Sequence, residues 1–138
     1  MHTRRALLIS GASTVITALL SPSALAVQRR LRPLKQGSRI RAVNPGTWMD
    51  PETDLEALLE RCNQQQWHLE IPAAFTRQWR YFSGTDQERV QDLRSAWNDP
   101  TVDAVVTLGG GWGAARVLEA GFRFPRRPKW SLGFSDFS

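Results

Sequence analysis

Ser135 sits in the stretch "GFSD", with Gly133 two residues before it and Asp136 directly after it. A serine on a tight strand-to-helix turn has its hydroxyl lifted out of the sheet, and the N–H of the next residue is then free to stabilise an oxyanion. The chemistry on offer is nucleophilic attack on a carbonyl. The same residues also fit a serine that merely caps a short helix. A second stretch lies upstream, where Gly109, Gly110, Gly111, Trp112 and Gly113 follow an apolar run and precede a helical pattern. Glycines let backbone N–H groups come close to a ligand and point at negative charge, whether phosphate, carboxylate or oxyanion. Gly109-x-Gly111-x-x-Ala114 also fits a loose dinucleotide fingerprint. It follows the third expected strand instead of the first, and no acidic residue ends a neighbouring strand at the usual distance, so a dinucleotide site is disfavoured.

Both loops need strands behind them, and the sequence supplies these in alternation with helices. A β-like run at Ile40–Val43 ends at Asn44-Pro45-Gly46. In "DPETDLEALLERCNQQQ", Asp50 can cap a helix that Pro51 and Glu52 open. Leu55, Leu58, Leu59 and Cys62 then share one apolar face, with Cys62 expected in the core. In "WHLEIP" the residues Trp67, Leu69 and Ile71 alternate with His68 and Glu70, so His68 faces away from the apolar stripe and is read as a surface residue. Thr85-x-x-Glu88 is a capping box that opens a helix carrying Val90, Leu93 and Trp97, and Asn98-Asp99-Pro100 stops it. Ala104–Leu108 suits a strand buried on both faces. A short helix over 114–121 ends at Gly121, and Trp130–Phe134 is the last strand. This order predicts an α/β fold with a parallel, three-layer sheet of the flavodoxin or Rossmann kind. Ligands of such sheets bind at the carboxyl ends of the strands, where both loops fall.

Composition narrows the function classes. The chain of 138 residues is one domain's worth at most, and 41% apolar against 22% charged residues makes it globular. A single cysteine excludes an intramolecular disulfide. No cluster of His and Cys suggests a metal site, and no cofactor is expected. The net charge of +5 falls to about +3 without Arg4 and Arg5. The other basic residues gather in "QRRLRPLKQGSRIR" and "RFPRRPK", Pro-containing stretches read as solvated loops and not as a nucleic-acid face.

The first 26 residues have the three parts of an export signal. Arg4-Arg5 is the positive region, Ala6–Leu20 the uncharged region, and Ala24-Leu25-Ala26 the cleavage pattern. The apolar region is short and diluted for a membrane span, and the arginine pair resembles the twin-arginine address. The expectation is an exported, periplasmic bacterial protein with no stable membrane association once the signal is removed. Residues 27–38 form a polar lead-in, and 39–138 the domain.

The ordered series Gly84-Thr85-Asp86, Arg89, Asp92-Leu93, Ala96, Asp99-Pro100, Gly110-Gly111-Trp112-Gly113 and Gly133-Phe134-Ser135-Asp136 resembles the LD-carboxypeptidase family, the serine peptidases of the S66 kind. "PLKQGSRIRAVNPG" is similar to that family's first strand and lead-in. The resemblance covers about residues 32–138 and matches the family's N-terminal domain. It implies a serine hydrolase that removes a terminal D-amino acid from a peptidoglycan-derived peptide. Ser135 would be the nucleophile. The N–H of Asp136 and one from Gly110–Gly113 would hold the oxyanion, with Trp112 beside the substrate. Gly109 departs from the family, which usually has Arg there, and this puts recognition of a terminal carboxylate in question. The family's activating Glu and His lie in a C-terminal part beyond these motifs, so the chain is expected to be a truncated, N-terminal half, inactive or nearly so alone. A homodimer would be a property of the longer protein. From a different class, the loops could bind an anionic peptide or cell-wall fragment without cleaving it.

Overall fold

The computed structural model describes residues 31–137. The expected export signal over residues 1–26, and with it the cleavage pattern, lies outside the described residues, as does the start of the expected lead-in. Four strands, β1 (Arg39–Val43), β2 (His68–Glu70), β3 (Ala104–Thr107) and β4 (Trp130–Leu132), alternate with three helices, α1 (Glu56–Gln64), α2 (Asp86–Asn98) and α3 (Gly113–Glu119). Every strand pair is parallel, and the order across the sheet is β2-β1-β3-β4. This is the flavodoxin-like order, with its crevice between β1 and β3. The expected parallel α/β fold is the observed one.

Alternation along β1 splits the core into two layers. Val43 packs with Val90, Leu93, Ala96 and Trp97 of α2 and Val117 of α3. Ile40 and Ala42 face the other way, with Cys62 of α1 and Phe75. All four β3 residues are buried, as a central parallel strand requires. Burial pushes the Cys62 thiol pKa up, which keeps it an inert core group.

α2 begins where its sequence signals it. The Thr85 hydroxyl accepts from the Glu88 N–H, and the Glu88 carboxylate accepts from the Thr85 N–H, so two orphan donors of the first turn are satisfied. α1 differs from expectation. Asp50 accepts a hydrogen bond from the Glu52 N–H and closes a turn, and the helix starts only at Glu56, where Asp54 accepts from the N–H. Asp and Pro fit turns as well as they fit helix starts, and here the turn wins. With the shorter helix, Leu59 points outward at 42% exposure, while Cys62 is buried. β4 is also shorter than read, because the chain turns at Gly133 to begin the Ser135 bend.

Truncation at the two leucines separates these positions. Leu93→Ala should cost about 2–5 kcal/mol in urea denaturation, since Leu93 is fully buried. Leu59→Ala should cost less than about 1 kcal/mol. Equal losses would contradict the layer assignment.

Candidate functional site

The strand order sets β1, β3 and β4 side by side, so the loops that leave their carboxyl ends are neighbours. The β1 loop, Asn44–Thr47, and the β3 loop, Leu108–Trp112, are interlocked. The Thr47 N–H donates to the Gly110 carbonyl at 3.0 Å. Gly46 lies against that same carbonyl so closely that no Cβ could fit. Gly111 takes a left-handed φ of +96° with the Thr47 hydroxyl in the space a side chain would need. Glycine is required here by close approach and by backbone conformation together.

Ser135 follows β4 in a left-handed conformation, φ +56°, in a short 3-10 turn over Ser135–Phe137. An N-cap residue has an extended backbone, so this geometry is not that of a helix-capping serine. The turn is closed from behind, with Gly133 packed on the Phe137 carbonyl and the Phe137 N–H donating to Phe134 at 3.3 Å. A Cβ on Gly110 would lie 2.8 Å from the Ser135 Cβ, so the glycine loop and the serine turn are in direct contact. Asp136 shares an apolar groove of about 470 Å³ with Trp112, Val117, Phe122 and Phe124. The Gly113 carbonyl points inward to Arg89, and Trp112 points outward, 55% exposed.

The group that holds this pole together is Arg89, completely buried. Its guanidinium donates to the carbonyls of Pro45 and Gly113 and, at 3.2 Å, of Gly84, and it pairs with Asp86. Burial pushes the Arg89 pKa down, and the Asp86 charge opposes that shift. Asp86 also takes Arg116 at 2.6 Å, and the Arg116 hydrogen bond, then the Arg89 charge, hold its carboxyl below the usual range against its own partial desolvation. The Arg89 guanidinium lies 4.7 Å from the Phe82 ring centroid, and Arg116 lies 5.3 Å from the same ring. The sequence showed Arg89 and Asp86 as matched positions without a role. The available signal was a cation in the first turn of a well-capped helix, where the helix dipole disfavours it unless something else holds it.

Two further residues bear on the site. The Asn44 side-chain amide is buried and has no hydrogen-bond partner among the described residues. A Cβ on Gly109 would overlap this amide, so a larger residue at 109 requires Asn44 to move. His68 stands exposed on β2, the opposite edge strand from β4, and pairs with Arg39 at the start of β1. Three strand spacings of about 4.8 Å separate those edges, which removes His68 from any direct contact with Ser135.

The family model described as the LD-carboxypeptidase N-terminal domain, of peptidase family S66, matches residues 40–138. A relative from Synechocystis sp. that bears the name of a carboxypeptidase is 35% identical over 106 residues, 75% of this chain and 35% of its own length. The murein tetrapeptide carboxypeptidase of Pseudomonas aeruginosa is 31% identical over 87 residues, 61% of this chain and 28% of its own. The chain thus spans about a third of the length of the curated relatives it matches. Among solved structures, the microcin C7 self-immunity protein MccF shares the fold with a TM-score of 0.62 and 21% identity, over 75% of this chain and 32% of that one.

The contact between the two loops can be probed by adding one methyl group. Gly110→Ala should lower stability by about 1–3 kcal/mol and shift the NMR resonances of residues 46–47 and 133–137 together. Shifts confined to 109–111 would show that the serine turn does not rest on Gly110.

Proposed function

Because the chain belongs to the LD-carboxypeptidase family of serine peptidases, we propose that it carries the nucleophile and oxyanion loops of a hydrolase acting on peptidoglycan-derived peptides. The bond cleaved is the one before a terminal D-amino acid. The observation that carries this reading is the left-handed Ser135 at the carboxyl end of β4, in contact with Gly110. Strain of this kind, about 1–3 kcal/mol, persists where the surroundings over-determine it, and it clusters at active sites.

In the proposed reaction the Ser135 Oγ attacks the scissile carbonyl and its proton passes to a base. The carbonyl oxygen becomes an oxyanion held by the Asp136 N–H and an N–H of the Gly110–Gly113 loop. Collapse breaks the C–N bond, and the proton goes to the departing D-amino acid. Water then hydrolyses the acyl-serine. Serine is a weak nucleophile without an adjacent base. Among the described residues His68 is the one histidine, and it stands at the opposite sheet edge. Efficient turnover therefore needs an activating base other than His68. The distance of His68 also favours a second reading, in which the chain binds such a peptide without cleaving it. Export to a bacterial periplasm through residues 1–26 is part of the proposal, since the murein substrate class is found there as well.

The test mixes the chain with a murein tetrapeptide and follows both binding and D-alanine release. The expected result is saturable binding, weakened by a bulky substitution at Gly111, with release no faster than from Ser135→Ala. Turnover that disappears in Ser135→Ala would establish the nucleophile and overturn the inactivity. Turnover unchanged by that substitution would overturn the serine chemistry, and no binding at all would overturn the peptide reading.

A further inference from the structure

Two basic stretches that the sequence reads as separate solvated loops come together at the pole opposite Ser135. A groove of about 650 Å³ is lined jointly by Arg32 and Lys35 of the lead-in and by Arg127, Lys129 and Trp130. Ser38, Asp103 and Lys129, which also line it, directly precede β1, β3 and β4. The groove therefore lies at the amino ends of the parallel strands, while the glycine loop and Ser135 follow their carboxyl ends.

Both stretches are fixed to the domain. The Trp130 indole N–H donates to the Arg32 carbonyl at 2.8 Å, and the Lys35 N–H donates to the Ser38 hydroxyl at 3.0 Å. Leu34 packs against the core layer of Ile40 and Ala42. Lys129 donates to the carbonyls of Ala96 and Asp99, 2.8 Å from each, and so ties the second stretch to the end of α2.

Charge at this pole is one-sided. Arg32, Lys35, Arg126 and Arg127 are exposed, and among the described residues they form no ion pair. Asp103 is the one carboxylate among the described residues that line the groove, and it already accepts from the Arg39 N–H at 2.9 Å. Residues 1–30 contain no Asp or Glu, and Arg29 and Arg30 stand just before Leu31. Exposed cations on a fixed backbone attract an extended negative surface, and each Lys or Arg near anionic lipid strengthens binding roughly fivefold.

Two further observations favour a membrane over a soluble polyanion. Trp130 lines the groove and is 44% exposed, and an indole suits the boundary between headgroups and acyl chains. The chain also leads there. Leu20, which ends the uncharged stretch Ala6–Leu20, and Leu31 are eleven positions apart, at most roughly 40 Å of chain. On the export reading that uncharged stretch enters a membrane, and the basic pole is the part of the domain that the chain tethers closest to it.

We propose that the pole formed by Arg32, Lys35, Arg126, Arg127 and Trp130 is a docking surface for a membrane with anionic headgroups. The contact is peripheral and sensitive to salt, so it differs from the stable association that the short, diluted leader argues against. It leaves the carboxyl pole, with Ser135, facing away from the bilayer. Its setting rests on the export reading of residues 1–26, and it is independent of the serine chemistry.

The test uses the full chain in a sedimentation assay with two kinds of vesicle, phosphatidylcholine alone and phosphatidylcholine mixed with phosphatidylglycerol. Binding to the anionic vesicles is expected to be at least about tenfold tighter at low salt. The difference should vanish near 1 M salt, where the Debye length falls to about 3 Å. Arg126→Gln with Arg127→Gln should weaken anionic binding about tenfold or more, and Arg32→Gln with Lys35→Gln should do the same. Backbone atoms of Arg32 and Lys35 make the contacts that fix the lead-in, so these substitutions leave those contacts in place. Arg61→Gln with Arg80→Gln removes the same charge from exposed positions outside the groove and should change binding less than about threefold. Equal affinity for the two vesicles, or a preference that survives both groove variants, would overturn the proposal. Equal losses in all three variants would overturn it as well, because net charge alone would then govern. Binding to polyphosphate with none to anionic vesicles would replace the membrane by a soluble polyanion. None of these readouts depends on peptide binding or D-alanine release, so failure here leaves the peptide reading intact.

Discussion

One buried guanidinium organises the carboxyl pole of this sheet. Arg89 has no contact with solvent, yet it holds the carbonyls of the β1 loop, the α2 lead-in and the start of α3, with Asp86 as its counter-charge. A charge buried this way is tolerated only where every donor finds an acceptor, and removing one member of such a cluster typically costs about 3–5 kcal/mol. The cost of burial also makes the arrangement specific. If any of the three loops moved away, a cation would be left without its partners in a low-dielectric interior. Arg89 therefore acts less as a contributor to overall stability than as a register pin for three loops that share no strand.

With that pin in place, the glycines can do their work. Gly46, Gly110 and Gly111 bring the β1 and β3 loops into contact at the crevice of the sheet, and Gly110 meets the Ser135 turn. Loops on a rigid scaffold are where sites are usually built. Here the scaffold reaches into the loops themselves, because Arg89 and Phe82 extend the packed interior up to the base of Trp112. The strained Ser135 backbone and the exposed Trp112 ring both rest on this foundation. The Asn44 amide, which has no hydrogen-bond partner among the described residues, marks where it is least complete.

Features fixed by near neighbours in the chain could be read from the sequence, and features fixed by distant ones could not. The Thr85–Glu88 box, the buried run of β3 and the outward face of His68 depend on residues within a few positions, and they stand where they were expected. The start of α1 was misplaced because Asp50-Pro51 serves a turn as readily as a helix, and only packing decides between them. Ser135 and Gly110–Gly113 were legible as motifs, and the strand order explains why loops from distant parts of the chain meet. Arg89 was not legible as the keystone, because its partners Pro45 and Gly113 lie 44 and 24 residues away.

Amide hydrogen exchange in Arg89→Met tests the central role of this residue most directly. Methionine fills much of the volume without the donors. The N–H groups of Thr47 and Ser83, which bridge the pinned loops, and of Ala114, which bonds the Gly111 carbonyl at the start of α3, are the reporters, and Val105 in the central strand is the reference. The account predicts that the three loop amides exchange at least tenfold faster relative to Val105 than in the wild-type chain. If loop and core amides instead accelerate by the same factor, Arg89 would be an ordinary stabilising residue and would not pin the loops.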